Sequence, residues 1–173
     1  VVSIIDTTVP IITPSNDITL EAVSIDENIA DLTPPSVYDI HDTSITNNAP
    51  EFFSIGETIV TWTATDVAGN ESSIEQKVTI VDTTSPSLQI PVDIEIEATS
   101  FDQNTIDLGE ATATDNGEII SITNDAPEFF GVGSTEVIWS VIDSSGNLSS
   151  ASQVVSIIDT TVPIITSSND ITL

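Results

Sequence analysis

The chain has 173 residues, with 28 carboxylates against a single Lys, one His and no Cys or Met, for a net charge of -27. A surface for nucleic acid needs clustered cations, so that partner is excluded; without thiols there is no disulfide, zinc-thiolate site or cysteine nucleophile either. The metal chemistry left open is the hard, all-oxygen kind that suits calcium, while 39% apolar residues, rich in Ile and Val, suffice for a buried core despite the charge.

In chain order the first landmark is Asp6-Thr7-Thr8-Val9-Pro10, and its pattern D-T-T-x-P returns at Asp82 to Pro86 and at Asp159 to Pro163. Such self-similarity marks an array of equivalent units. Ile18, Leu20 and Ala22 alternate with Asp17, Thr19 and Glu21, which predicts a first strand with one wet face. After Tyr38-Asp39 come Thr46 to Phe53 and then Val60, Trp62 and Ala64 in one phase, running into the hairpin turn Asp66-Val67-Ala68-Gly69-Asn70. A last strand is predicted over Ser72 to Val81.

The second half repeats this order. Val92, Ile94, Ile96 and Ala98 alternate with Asp93, Glu95 and Glu97, shorter strands follow near Leu108 to Thr114 and Glu118 to Thr123, and Val137, Trp139 and Val141 lead into Asp143 to Asn147. The last strand is placed at Ser149 to Ile158. Six or seven strands per unit and no helical periodicity predict an all-β fold of tandem immunoglobulin-like sandwiches. Val1 to Leu20 also recurs as Val154 to Leu173 with one change, Pro14 to Ser167. The expected organisation is therefore the last strand of a preceding module at 1–5, modules at 6–81 and 82–158, and the first strand of a following module at 159–173. An excerpt from a long array explains the overlap; so does a filament of subunits linked by donated strands. No apolar run is long enough to span a bilayer, so no membrane insertion is expected in this segment.

The residues also carry a family resemblance. D-T-T-x-P, Pro91 to Ile94, Thr112-Ala113-Thr114-Asp115, Thr123 to Pro127 and the W-x-x-x-D-x-x-G-N run from Trp139 to Asn147 stand in one order in both halves. Both modules thus resemble the hyalin repeat (HYR) domain; the first departs where Tyr38-Asp39 replaces Thr114-Asp115. The resemblance implies an extracellular, immunoglobulin-like module used in tandem in adhesive and matrix-like surface proteins, with no catalytic activity.

In such a sandwich the linker, the loop after the second strand and the last hairpin open at the same end. Asp6, Asp39, Asp66 and Asn70 would then converge in the first module, and Asp82, Asp115, Asp143 and Asn147 in the second, with Asp159 starting a third set. Calcium takes six to eight oxygens, and converging carboxylates repel one another unless a cation neutralises them. A junction calcium site is the expectation; turn formation and backbone capping by Asp is the alternative. Asn70-Glu71-Ser72 and Asn147-Leu148-Ser149 are also sequons open to glycosylation on secretion.

Trp62 and Trp139 read as core anchors, and one ring of each pair Phe52-Phe53 and Phe129-Phe130 must face away from the core. His41 is unrepeated, so it reads as incidental and not as part of a catalytic triad. A crosslink through Lys77 is no general device, because its counterpart is Val154. The sequence therefore predicts a structural repeat of a cell-surface or secreted stalk or filament, joined head to tail to neighbouring modules or protomers. An adhesin that binds a glycan or a surface protein through its loops is the rival.

Overall fold

The computed structural model describes residues 4–166. Its strands are β1 (Ile11–Thr13), β2 (Ile18–Glu21), β3 (Ser36–Tyr38), β4 (Thr43–Asn47), β5 (Gly56–Asp66), β6 (Glu71–Val81), β7 (Ser87–Gln89), β8 (Ile94–Glu97), β9 (Thr112–Thr114), β10 (Ile119–Asn124), β11 (Gly133–Asp143) and β12 (Leu148–Ile158). Each half of the chain contributes six, within the expected number. Among the described residues no helix is long and apolar enough to cross a membrane.

The backbone of each module is a long antiparallel hairpin, β5 with β6 and β11 with β12. Alternation drives it: Val60, Trp62 and Ala64 on β5 and Gln76, Val78 and Ile80 on β6 all point inward and are buried. The turn between the strands needs a left-handed residue, supplied by Gly69 at φ +88° and Gly146 at φ +91°. β4 or β10 pairs antiparallel on one side, and β2 or β8 pairs parallel with the last strand on the other. The four-stranded orders are β2-β6-β5-β4 and β8-β12-β11-β10, each accompanied by a two-stranded sheet, β1-β3 or β7-β9.

The first strand expected over Val92 to Ala98 shortens to β8, and an unexpected strand, β7, precedes it in the other sheet, with Pro91 in the crossing. Proline cannot donate to a ladder, so the chain leaves one sheet there and enters the other. Val92 consequently does not point inward with Ile94 but is 84% exposed. The strand expected over Leu108 to Thr114 shortens to Thr112–Thr114. Gly109, at φ +81°, breaks the extended run and packs against Pro91, where a Cβ would approach to 3.3 Å.

Each sandwich has its own core. Phe53, Val60, Trp62, Val78 and Ile80 form one, and Phe130, Val137, Trp139, Val155 and Ile157 the other. Each indole Nε1 donates to a buried glutamine, Trp62 to Gln76 at 2.9 Å and Trp139 to Gln153 at 3.0 Å. Phe53 and Phe130 are buried, while Phe52 and Phe129 stay over 40% exposed, as adjacency requires. Ile4, Ile5 and residues 159–166 lie in no strand. The remainder of the expected terminal strands, 1–3 and 167–173, is outside the described residues.

Candidate metal centres at the module junctions

Asp82 follows directly on β6, Asp115 follows β9, and Asp143 ends β11, so three separate elements deliver one carboxylate each to the junction between the modules. Their oxygens lie within 4.8 Å of one another. That spacing matches oxygens on opposite sides of a calcium ion, each about 2.4 Å from it.

Asp143 is the built-in corner. Its Oδ1 accepts from the Asn147 and Ser145 amides at 2.8 and 2.9 Å, and its Oδ2 from Asn147 Nδ2 at 2.8 Å. Burial pushes its pKa up, but these bonds together prevail and hold it below the ordinary carboxylate range. Asp82 Oδ1 accepts from the Thr84 amide at 3.1 Å. Its Oδ2 is buried with no partner, although the residue is only 7% exposed. Asp115 is raised by burial and by the charges of Asp82 and Asp143. Asn116 adds a second buried oxygen without a partner, its Oδ1, while its Nδ2 donates across the junction to the Ala22 carbonyl at 2.8 Å. Gly117 leaves the space open, since a Cβ there would collide with Asp82 Oδ2.

Asp6, Asp39 and Asp66 form the corresponding group at the start of the first module, again within 4.8 Å. Asp66 accepts both Asn70 nitrogens, at 2.8 and 2.7 Å. The Thr8 amide is the foremost cause holding Asp6 below its ordinary pKa. Asp39 Oδ2 is buried and without a partner. One difference separates the two groups: His41 Nδ1 sits 2.7 Å from Asp6 Oδ2. The histidine that reads as incidental in the sequence is thus in contact with a junction carboxylate.

Asn70 and Asn147 occupy the junctions as donors. Besides binding the turn aspartates, their Nδ2 atoms donate to the carbonyls of Asp6 and Asp82, at 3.3 and 3.1 Å. They orient carboxylates, and the nitrogen a glycan would need is already engaged. Asp159 belongs to no such group among the described residues; its Oδ1 accepts from the Thr161 amide at 3.0 Å.

Two glutamates escape the sequence reading. Glu21 accepts from the Thr83 amide at 2.8 Å, from Thr83 Oγ1 at 3.0 Å and from Thr84 Oγ1 at 3.1 Å. Glu97 does the same to Thr160 and Thr161, at 2.8, 2.8 and 3.0 Å. The repeated T-T of the linker is therefore held by a carboxylate at the end of the preceding strand. The signal was present, because Glu21 and Glu97 stand one module apart.

The HYR domain model matches residues 5–80 and again 81–157. Hyalin of Strongylocentrotus purpuratus is 36% identical over 177 residues, covering 93% of this chain and 15% of that protein. Hyalin of Lytechinus variegatus is 31% identical over 190 residues, covering 96% of this chain and 34% of its own length. The chain thus spans well under half of either relative. Two successive family matches over almost its whole length, on the sandwich architecture expected of them, establish that the chain belongs to the HYR domain family.

Proposed function

We propose that this chain is a tandem structural segment of an extracellular or cell-surface protein, whose modules are stiffened against one another by calcium at the junctions. Its role is mechanical, not catalytic. Family membership supports the extracellular, adhesion-related setting. The calcium reading rests on one observation above all: Asp82 Oδ2 is buried and has no partner, in a linker residue whose carboxylate lies within 4.8 Å of those of Asp115 and Asp143. An unpaired carboxylate oxygen out of water is costly, and a cation bound by Asp82, Asp115 and Asp143 relieves both that cost and their repulsion. Asn116, next to Asp115 in the chain, has a buried oxygen without a partner, its Oδ1, which could serve as a neutral ligand. Because Asp82 lies at the end of β6 and the other ligands in the next sandwich, the ion would tie linker to loops and restrict hinge motion.

The test is calorimetry with isothermal titration. Calcium at a hundred times its dissociation constant adds about 2.7 kcal/mol to the folded state. For modules of this size that raises the melting midpoint by about 10–20 °C over the value in EDTA. Asp82→Asn keeps the Thr84 contact and should lose the shift at the inner junction. Identical melting in EDTA and in excess calcium would remove the reading.

A further inference from the structure

The second module's side of the inner junction is polar. Asn116 bonds the Ala22 carbonyl, and Gly117 and Ser144 occupy the adjoining loop positions. The same positions at the outer face of the first module hold Ile40, His41 and Val67. Ile40 is 78% and Val67 73% exposed, and they line a cavity of about 420 Å³ beside Asp6 and Thr8. At the far end of the second module, Phe101 is 82% and Val132 41% exposed. They line a cavity of about 290 Å³ with Ala98, beside Asp159 and Thr161.

These two apolar faces flank one stretch of sequence in its two occurrences, Ile4 to Pro10 and Ile157 to Pro163, which are identical. The inner junction supplies the geometry of joining. There Ala22 donates to the Val81 carbonyl at 2.6 Å, and Ala98 donates to that of Ile158 in the same way at 2.7 Å. Continuing the chain from Asp159 as it continues from Asp82 brings Ala98 to Ile40 of a following first module, as Ala22 meets Asn116, with Phe101 in the same cavity as Ala98. The donor that Asn116 provides is missing there, because Ile40 stands in its place, and apolar surface stands on both sides instead.

We propose that Ile40 and Val67 form the socket for Phe101 and Val132 of the preceding 153-residue unit, so that polar and apolar junctions alternate along the array. The occupant is the carboxyl-terminal end of a second module of this same sequence. The inference rests on the tandem-array reading but not on calcium.

It is tested in excess EDTA with a tandem chain carrying the unit twice, beside the 173-residue chain. Phe101→Ser and Val67→Ser should each leave the 173-residue chain unchanged, since both side chains are exposed in it. In the tandem chain each should lower the midpoint of the flanking modules by about 3 °C or more and broaden the end-to-end distances seen by small-angle scattering. The double variant should lose little beyond either single one, the mark of two groups in contact. Silent or additive substitutions in the tandem chain overturn the socket. Because calcium is absent throughout, failure of the metal reading leaves this result untouched.

Discussion

A carboxylate at the edge of a strand can be solvent-facing and still hold the fold, as Glu21 shows. The Thr83 amide is the chief cause holding its pKa below the ordinary glutamate range, aided by the two threonine hydroxyls. Since the folded-state pKa lies below the unfolded one, the clamp contributes fully above the ordinary glutamate pKa and is lost as pH falls through the lowered value. In an NMR titration the Thr83 amide shift should therefore move with a midpoint below the ordinary value, and Glu21→Gln should abolish that movement. A midpoint at the ordinary value would show the clamp to be absent in solution. The one-module spacing of Glu21 and Glu97 marks the pair in the sequence but not its role, because Glu21 sits in the outward phase of β2, where a carboxylate reads as a wet face. The junction aspartates were legible because Asp in a turn, repeated at one spacing, fixes both a conformation and a charge. The contact of His41 with Asp6 carried no such signal, since repetition says nothing about a residue that occurs once.

At the scale of elements, alternation located the long hairpins with their buried tryptophans but not the short strands. Three-residue strands such as β7 and β9 carry too few alternations to register, and the change of sheet at Pro91 depends on tertiary partners. The loops that follow β2 and β8 are pinned by a buried asparagine in each module. Asn104 Oδ1 accepts the Thr99 and Ser100 amides at 2.8 and 3.0 Å, and its Nδ2 donates to the carbonyls of Ser100 and Phe130, both at 2.8 Å. Asn28 makes the equivalent set in the first module, bridging to the Phe53 carbonyl at 2.9 Å. Asn104→Ala strands these groups away from water and should cost about 2–4 kcal/mol. In urea the midpoint of the second module should fall with its slope unchanged, whereas a loss under 0.5 kcal/mol would show that the loop finds other partners. Asn104→Asp should be worse, because it turns a donor facing two carbonyls into an acceptor.

For the whole molecule, the separate cores and the shared junction pull in different directions. No core residue of one module belongs to the other's cluster, so each sandwich can unfold alone. Without calcium, the hydrogen bonds that couple them among the described residues are the Asn116 bond, the Glu21 clamp and the Asn147 contact to the Asp82 carbonyl. Trp62→Ala removes about 3–5 kcal/mol from the first module alone. In EDTA it should therefore split calorimetric unfolding into two transitions, the second close to that of the unsubstituted chain. Calcium changes the expectation: loss of the first sandwich frees β6, and with it Asp82, so an ion bound to Asp82, Asp115 and Asp143 penalises opening of either neighbour. The transitions should then draw together in calcium, and Asp82→Asn on the same background should part them again. A single cooperative transition for Trp62→Ala in EDTA would instead mean that protein contacts at the junction already make the pair one unit, leaving the carboxylates no coupling to supply.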